Sequence, residues 1–64
     1  MIMMTARKIR ALRTALKLTQ TAFAVKMHVC QNTIARWELD LSHPTFERQR
    51  RLNDMATAAR IDLN

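Results

Sequence analysis

Apolar residues recur along this chain at helical spacing. Ile9, Leu12 and Leu16 stand at i, i+3 and i+7, one stripe of a helix that starts after Thr5, whose hydroxyl suits an N-cap. A second stretch opens at Thr19 and Gln20, turns Phe23, Ala24 and Met27 inward, and ends around Met27 and His28. A third follows after a short turn, with Cys30 in the N-cap position and Ile34 and Trp37 facing in. Residues 39–43 read as a loop that ends at Pro44, whose ring suits the first turn of a new helix. That fourth helix carries Leu52, Met55, Ala56 and Ala59 on one stripe. Phe46 lies about half a turn off the stripe, so it is expected to pack under the loop, with the helix bent or starting late. With no glycine, one proline and little strand-like alternation, the predicted fold is all-α. It is a compact bundle of four or five short helices, one domain over residues 1–64.

Length narrows the function. Sixty-four residues lie near the lower size at which a chain folds without a staple, so most apolar side chains must serve one core and none are left to build a catalytic cleft. The five acids and two histidines form no catalytic grouping, and an enzyme is not expected. The single cysteine excludes an internal disulfide. Cys30, His28 and His43 do not complete the four ligands of a structural zinc site, so no metal or cofactor is expected, and Cys30 reads as a small, half-buried residue. The opening MIMMTARK has too short an apolar run for a signal peptide and far less than the roughly 20 residues that span a bilayer. A cytoplasmic protein is expected.

Charge then changes the picture. Residues 1–36 hold seven basic side chains (Arg7, Lys8, Arg10, Arg13, Lys17, Lys26, Arg36) and no acid, whereas residues 37–64 hold four arginines against five acids. A basic half is the electrostatic footprint of a nucleic-acid surface. A basic amphipathic membrane peptide would instead need a broad apolar face with no internal packing.

Two helices joined by a three- or four-residue turn can cross at about 90–120°, which lets the first brace the second across the mouth of a DNA groove. At about 100° per residue, Thr33, Ile34, Trp37 and Glu38 share one side of the third helix, and Gln31, Asn32, Ala35 and Arg36 the other. The second set is amide, amide, methyl and guanidinium. Amides pair with adenine in the major groove, guanidinium with guanine, and a small alanine approaches a thymine methyl, so these four are the expected base readers. Gln20, at the amino end of the second helix, is placed for a phosphate. Thr33, Arg13, Arg10 and Ser42 are the other expected phosphate contacts, while Arg48, Arg50 and Arg51 are expected to be solvated or paired with Glu47 and Asp54.

The stretch LTQTAFAVKMHVCQNTIARWE resembles the helix-turn-helix of the lambda repressor, Cro and 434 class, the XRE family. The matching residues are Leu18, Thr19, Gln20, Ala24, Lys26, Val29, Thr33, Ile34, Trp37 and Glu38, with Ile9, Leu12 and Arg13 before them and Pro44 after. The resemblance implies a lambda-repressor-like bundle with its helix-turn-helix at about residues 19–38. It also implies that Gln20 holds phosphate and braces Gln31, that Gln31 reads adenine with Asn32 and Arg36 beside it, and that Arg13 and Glu38 form a buried ion pair. Lys17 and His28 stand where many relatives have glycine, and Cys30 replaces the usual serine cap. The expected role is a sequence-specific, double-stranded DNA-binding transcription regulator, a repressor that covers a promoter as a homodimer on a palindromic operator in a bacterial or phage setting. The alternative is an antitoxin-type module of the same fold, with a protein partner such as a toxin held by residues 21–25 and the fourth helix.

Overall fold

The computed structural model describes residues 4–63. Four helices run in order: α1 (Ala6–Ala15), α2 (Gln20–Met27), α3 (Gln31–Glu38) and α4 (Phe46–Ala58). Three begin in the same way. Thr5, Thr19 and Thr45 have extended backbone, and each hydroxyl accepts from the amide three residues on, at 3.2, 3.1 and 3.4 Å. Each bond satisfies one of the first-turn donors that a helix leaves open. α3 differs, because Cys30 holds the N-cap geometry without a side-chain cap hydrogen bond.

All four helices also end in one way, and without glycine. Lys17, His28, Asp40 and Arg60 take left-handed backbone at φ 58, 58, 61 and 56°. The amide of the next residue then donates back into the helix: Leu18 to Arg13, Val29 to Ala24, Leu41 to Arg36 and Ile61 to Ala56. This is the Schellman turn, whose apolar residue past the left-handed position folds back on the helix. Leu18, Val29 and Ile61 do so against the core, whereas Leu41 is exposed.

The core is built from the predicted stripes. Ile9 and Leu12 of α1, Phe23, Ala24 and Met27 of α2, Ile34 and Trp37 of α3, and Leu52 and Ala56 of α4 are buried together. Met4 and Leu63, from the segments flanking the bundle, close it. Leu12, Phe23, Ile34 and Leu52 have no measurable exposure, so each contributes about 1.5–3 kcal/mol by burial alone.

Three local expectations are corrected. Pro44 is buried but precedes the Thr45 cap, so it stands outside α4 rather than in its first turn; Gln49 Nε2 donates to its carbonyl at 3.4 Å. Phe46 does not pack under the loop. It is the first residue of α4 and is 66% exposed, because a helix starting there turns that position away from Leu52 and Ala56. Ala59 lies outside the core stripe as the exposed C-cap, since Arg60 has already reversed the chain.

Candidate nucleic-acid interface

α3 places the expected base readers on its outer side. Gln31, Asn32 and Arg36 are exposed and Ala35 is half-buried, while Ile34 and Trp37 anchor the opposite side in the core. Cys30, expected half-buried, is exposed at the start of the helix.

A polar chain fixes the first of these side chains, Gln31. Arg13 Nε donates to Glu38 Oε2 at 2.6 Å and Nη2 to Glu38 Oε1 at 3.1 Å, while Nη1 donates to the Leu18 carbonyl at 2.9 Å. One guanidinium therefore ties α1 to the approach to α2 and to the end of α3. The pair is largely dry, with side-chain exposures of 17% for Arg13 and 5% for Glu38. The hydrogen bond to Glu38 raises the Arg13 pKa above its ordinary value, outweighing the opposing effect of burial.

The carboxylate also sets the direction of every bond beyond it. An ionised carboxylate only accepts, so Gln20 must turn its Nε2 toward Glu38 Oε1, at 3.3 Å. Its Oε1 then faces away and accepts from Gln31 Nε2 at 2.7 Å. Gln31 keeps one amide N–H and its carbonyl oxygen for an outside partner. That donor and acceptor, side by side, are the complement of adenine N7 and N6.

The expected phosphate contacts fall on two flanks. Arg10 and Arg13 stand at i and i+3 along α1, and Arg13 reaches Glu38, which also accepts from Gln20; the exposed Lys17 follows on the left-handed turn that ends the helix. Arg13 itself spends three N–H groups inside the protein. Thr33 lies about 160° around α3 from Gln31. It lines, with Ser42, a groove of about 490 Å³ between the turn after α2, α3 and the start of α4.

Arg48 lines the same groove, together with His28 and His43. Arg48, Arg50 and Arg51, expected to be solvated or paired with Glu47 and Asp54, form no ion pair with those acids among the described residues; Arg50 and Arg51 are exposed and Arg48 is half-buried. No periodicity marks these three groove residues. The buried Pro44 and the loop path bring His43 and Arg48 to α3, which is a tertiary effect, whereas His28 lies there on the turn that precedes the helix.

No helix among the described residues is long and apolar enough to cross a membrane. The helix-turn-helix family model matches residues 9–54, from the first core residue of α1 to well inside α4. The chain belongs to the XRE-type, lambda repressor and Cro-like helix-turn-helix family, a family of DNA-binding transcription regulators. No curated protein and no solved structure matches it.

Proposed function

We propose that this protein is a sequence-specific repressor that lays α3 in the major groove of double-stranded DNA and occludes a promoter. The observation that supports the reading is the Arg13–Glu38–Gln20–Gln31 chain, which orients the exposed Gln31 amide and leaves it a donor and an acceptor free. Asn32, Ala35 and Arg36 read neighbouring pairs. Gln20, Arg10 and Arg13 meet phosphates on one flank, and Thr33 and Ser42 on the other. Two copies bind half-sites about one helical turn apart, on a palindrome, in the cytoplasm.

Selection of bound sequences from a random duplex pool tests this. A palindrome with two half-sites about 10 bp apart is the expected result. Recovery of no preferred sequence would contradict sequence-specific reading.

A second reading, an antitoxin-type partner module, draws on α2. Val25 is 70% exposed, and next to it Lys26 borders a groove with Leu16, Met55 and Ala58. If that face is a partner surface, Val25→Lys leaves DNA affinity unchanged or higher and abolishes neutralisation of a co-expressed toxic neighbour gene. Unchanged neutralisation would remove the reading.

A further inference from the structure

The groove on the Thr33 flank of α3 holds both histidines of the chain. His28 lies on the turn after α2, His43 in the α3–α4 loop, and Arg48 near the start of α4. Both histidines are exposed. A helix lying in the major groove has a sugar–phosphate strand along each flank. On the Gln20 flank the protein offers an amide and the permanent charges of α1. On the Thr33 flank it offers three hydroxyls (Thr33, Ser42 and Thr45), one arginine and two imidazoles.

We infer that His28 and His43 are phosphate-contacting residues of this second flank and make DNA binding tighten as pH falls. The inference rests on the DNA-binding reading above. Imidazole ordinarily changes charge between about pH 5 and 8, and each proton it gains faces an anion here. The other titratable or charged groups lining the groove are Cys30 on the turn and Arg48 on α4, and α3 contributes only the neutral Thr33 and Trp37; outside that lining, Asp40 Oδ1 lies 3.6 Å from His43 Nδ1. Asp40 shares the charge of a protonated His43, so His28 carries the larger part of the effect. Phosphates are the same in every sequence, so the proton link belongs to affinity and not to base preference.

The test is fluorescence anisotropy with the full chain, on its selected duplex and on a scrambled duplex, at about pH 8 and about pH 5.5 and at several salt concentrations. Roughly fivefold to tenfold tighter binding at the lower pH is expected on both duplexes, from one to two added charges near phosphate. The slope of log affinity against log salt should steepen by about 0.9 for each phosphate newly neutralised. His28→Asn should remove most of the gain, and His28→Lys should bind at about pH 8 nearly as tightly as the parent does at about pH 5.5, with only the smaller His43 share of the pH response left. Thermal melts at both pH values separate binding loss from unfolding, and the unmutated protein's own pH and salt profiles decide the matter if a variant does not fold. Equal affinity and equal slope at the two pH values, or a gain that survives in the His28→Asn/His43→Asn protein, would overturn the inference while leaving DNA binding intact. Absence of binding to either duplex at both pH values would overturn the DNA-binding reading itself, and the inference with it.

Discussion

Glu38 accepts from Gln20, and that single bond decides which end of Gln20 faces Gln31. The proposed base reader is thus oriented by a nearly buried carboxylate on the last turn of its own helix, acting through a side chain on another helix. Replacing that carboxylate with a group that can either donate or accept removes the direction without removing the shape.

Glu38→Gln is therefore predicted to blur the base preference at the pair that Gln31 is proposed to read, although the substituted side chain is nearly buried. Arg13→Ala is predicted to act on the fold, costing about 3 kcal/mol, because it leaves a carboxylate dry and unpaired. Single-base variant binding and urea melts distinguish the two. Since Glu38 moves the Arg13 pKa upward from an already high value, the stabilisation linked to the Arg13 proton is fully present around neutral pH and fades as pH rises through the ordinary arginine pKa and beyond it. An Arg13-linked loss of stability near neutral pH would contradict this.

Left-handed helix ends without glycine are a stored cost. Lys17→Gly, His28→Gly and Arg60→Gly are each predicted to stabilise the fold by about 0.5–1 kcal/mol, by relieving the Cβ clash at positive φ. Asp40→Gly should gain less, because aspartate tolerates this region better and here also meets His43. The sites are separate, so the gains should add when melts of the single and combined variants are compared. A lower melting temperature for Arg60→Gly would show that its side chain makes a contact worth more than the strain.

Cys30→Ser should stabilise the protein by about 0.5–1 kcal/mol. The Cys30 backbone already has cap geometry and its thiol makes no cap bond, while a hydroxyl there can accept from the first turn of α3. Equal chemical-denaturation midpoints for the two proteins would mean that solvent already satisfies that turn.

The stripes that make the core are legible in the sequence because they need only one helix at a time: Ile9 with Leu12, Phe23 with Met27, Ile34 with Trp37. The Thr5 cap is readable for the same reason. What escapes is set by the chain's path between helices. The pattern that puts Ala59 on a stripe cannot show that the chain reverses at Arg60, since no glycine marks the turn. Phe46 is visibly off the stripe, but its exposure follows from the helix starting at that residue. Leu63 returns to the core after α4 has ended, which no periodicity encodes. In the site, family resemblance pairs Gln20 with Gln31 eleven residues on, and the structure sets their side chains 2.7 Å from each other. Arg48 and His43 reach the α3 flank only through the loop that Pro44 anchors.

The central claim is that Gln31 reads a base and Gln20 anchors the backbone. It is tested most directly by measuring the affinity of Gln31→Ala and Gln20→Ala for the selected site and each of its single-base variants at one fixed salt concentration. Gln31→Ala should cost about 1–3 kcal/mol on the preferred site and flatten the preference at one base pair, because a paired amide contact is lost while the helix stays folded. Gln20→Ala should weaken binding to every duplex and keep most of the preference, with a partial loss at the Gln31 pair where the brace is gone. If Gln31→Ala instead lowered every affinity by the same factor, Gln31 would be an anchor and α3 would lie in the groove in a different orientation.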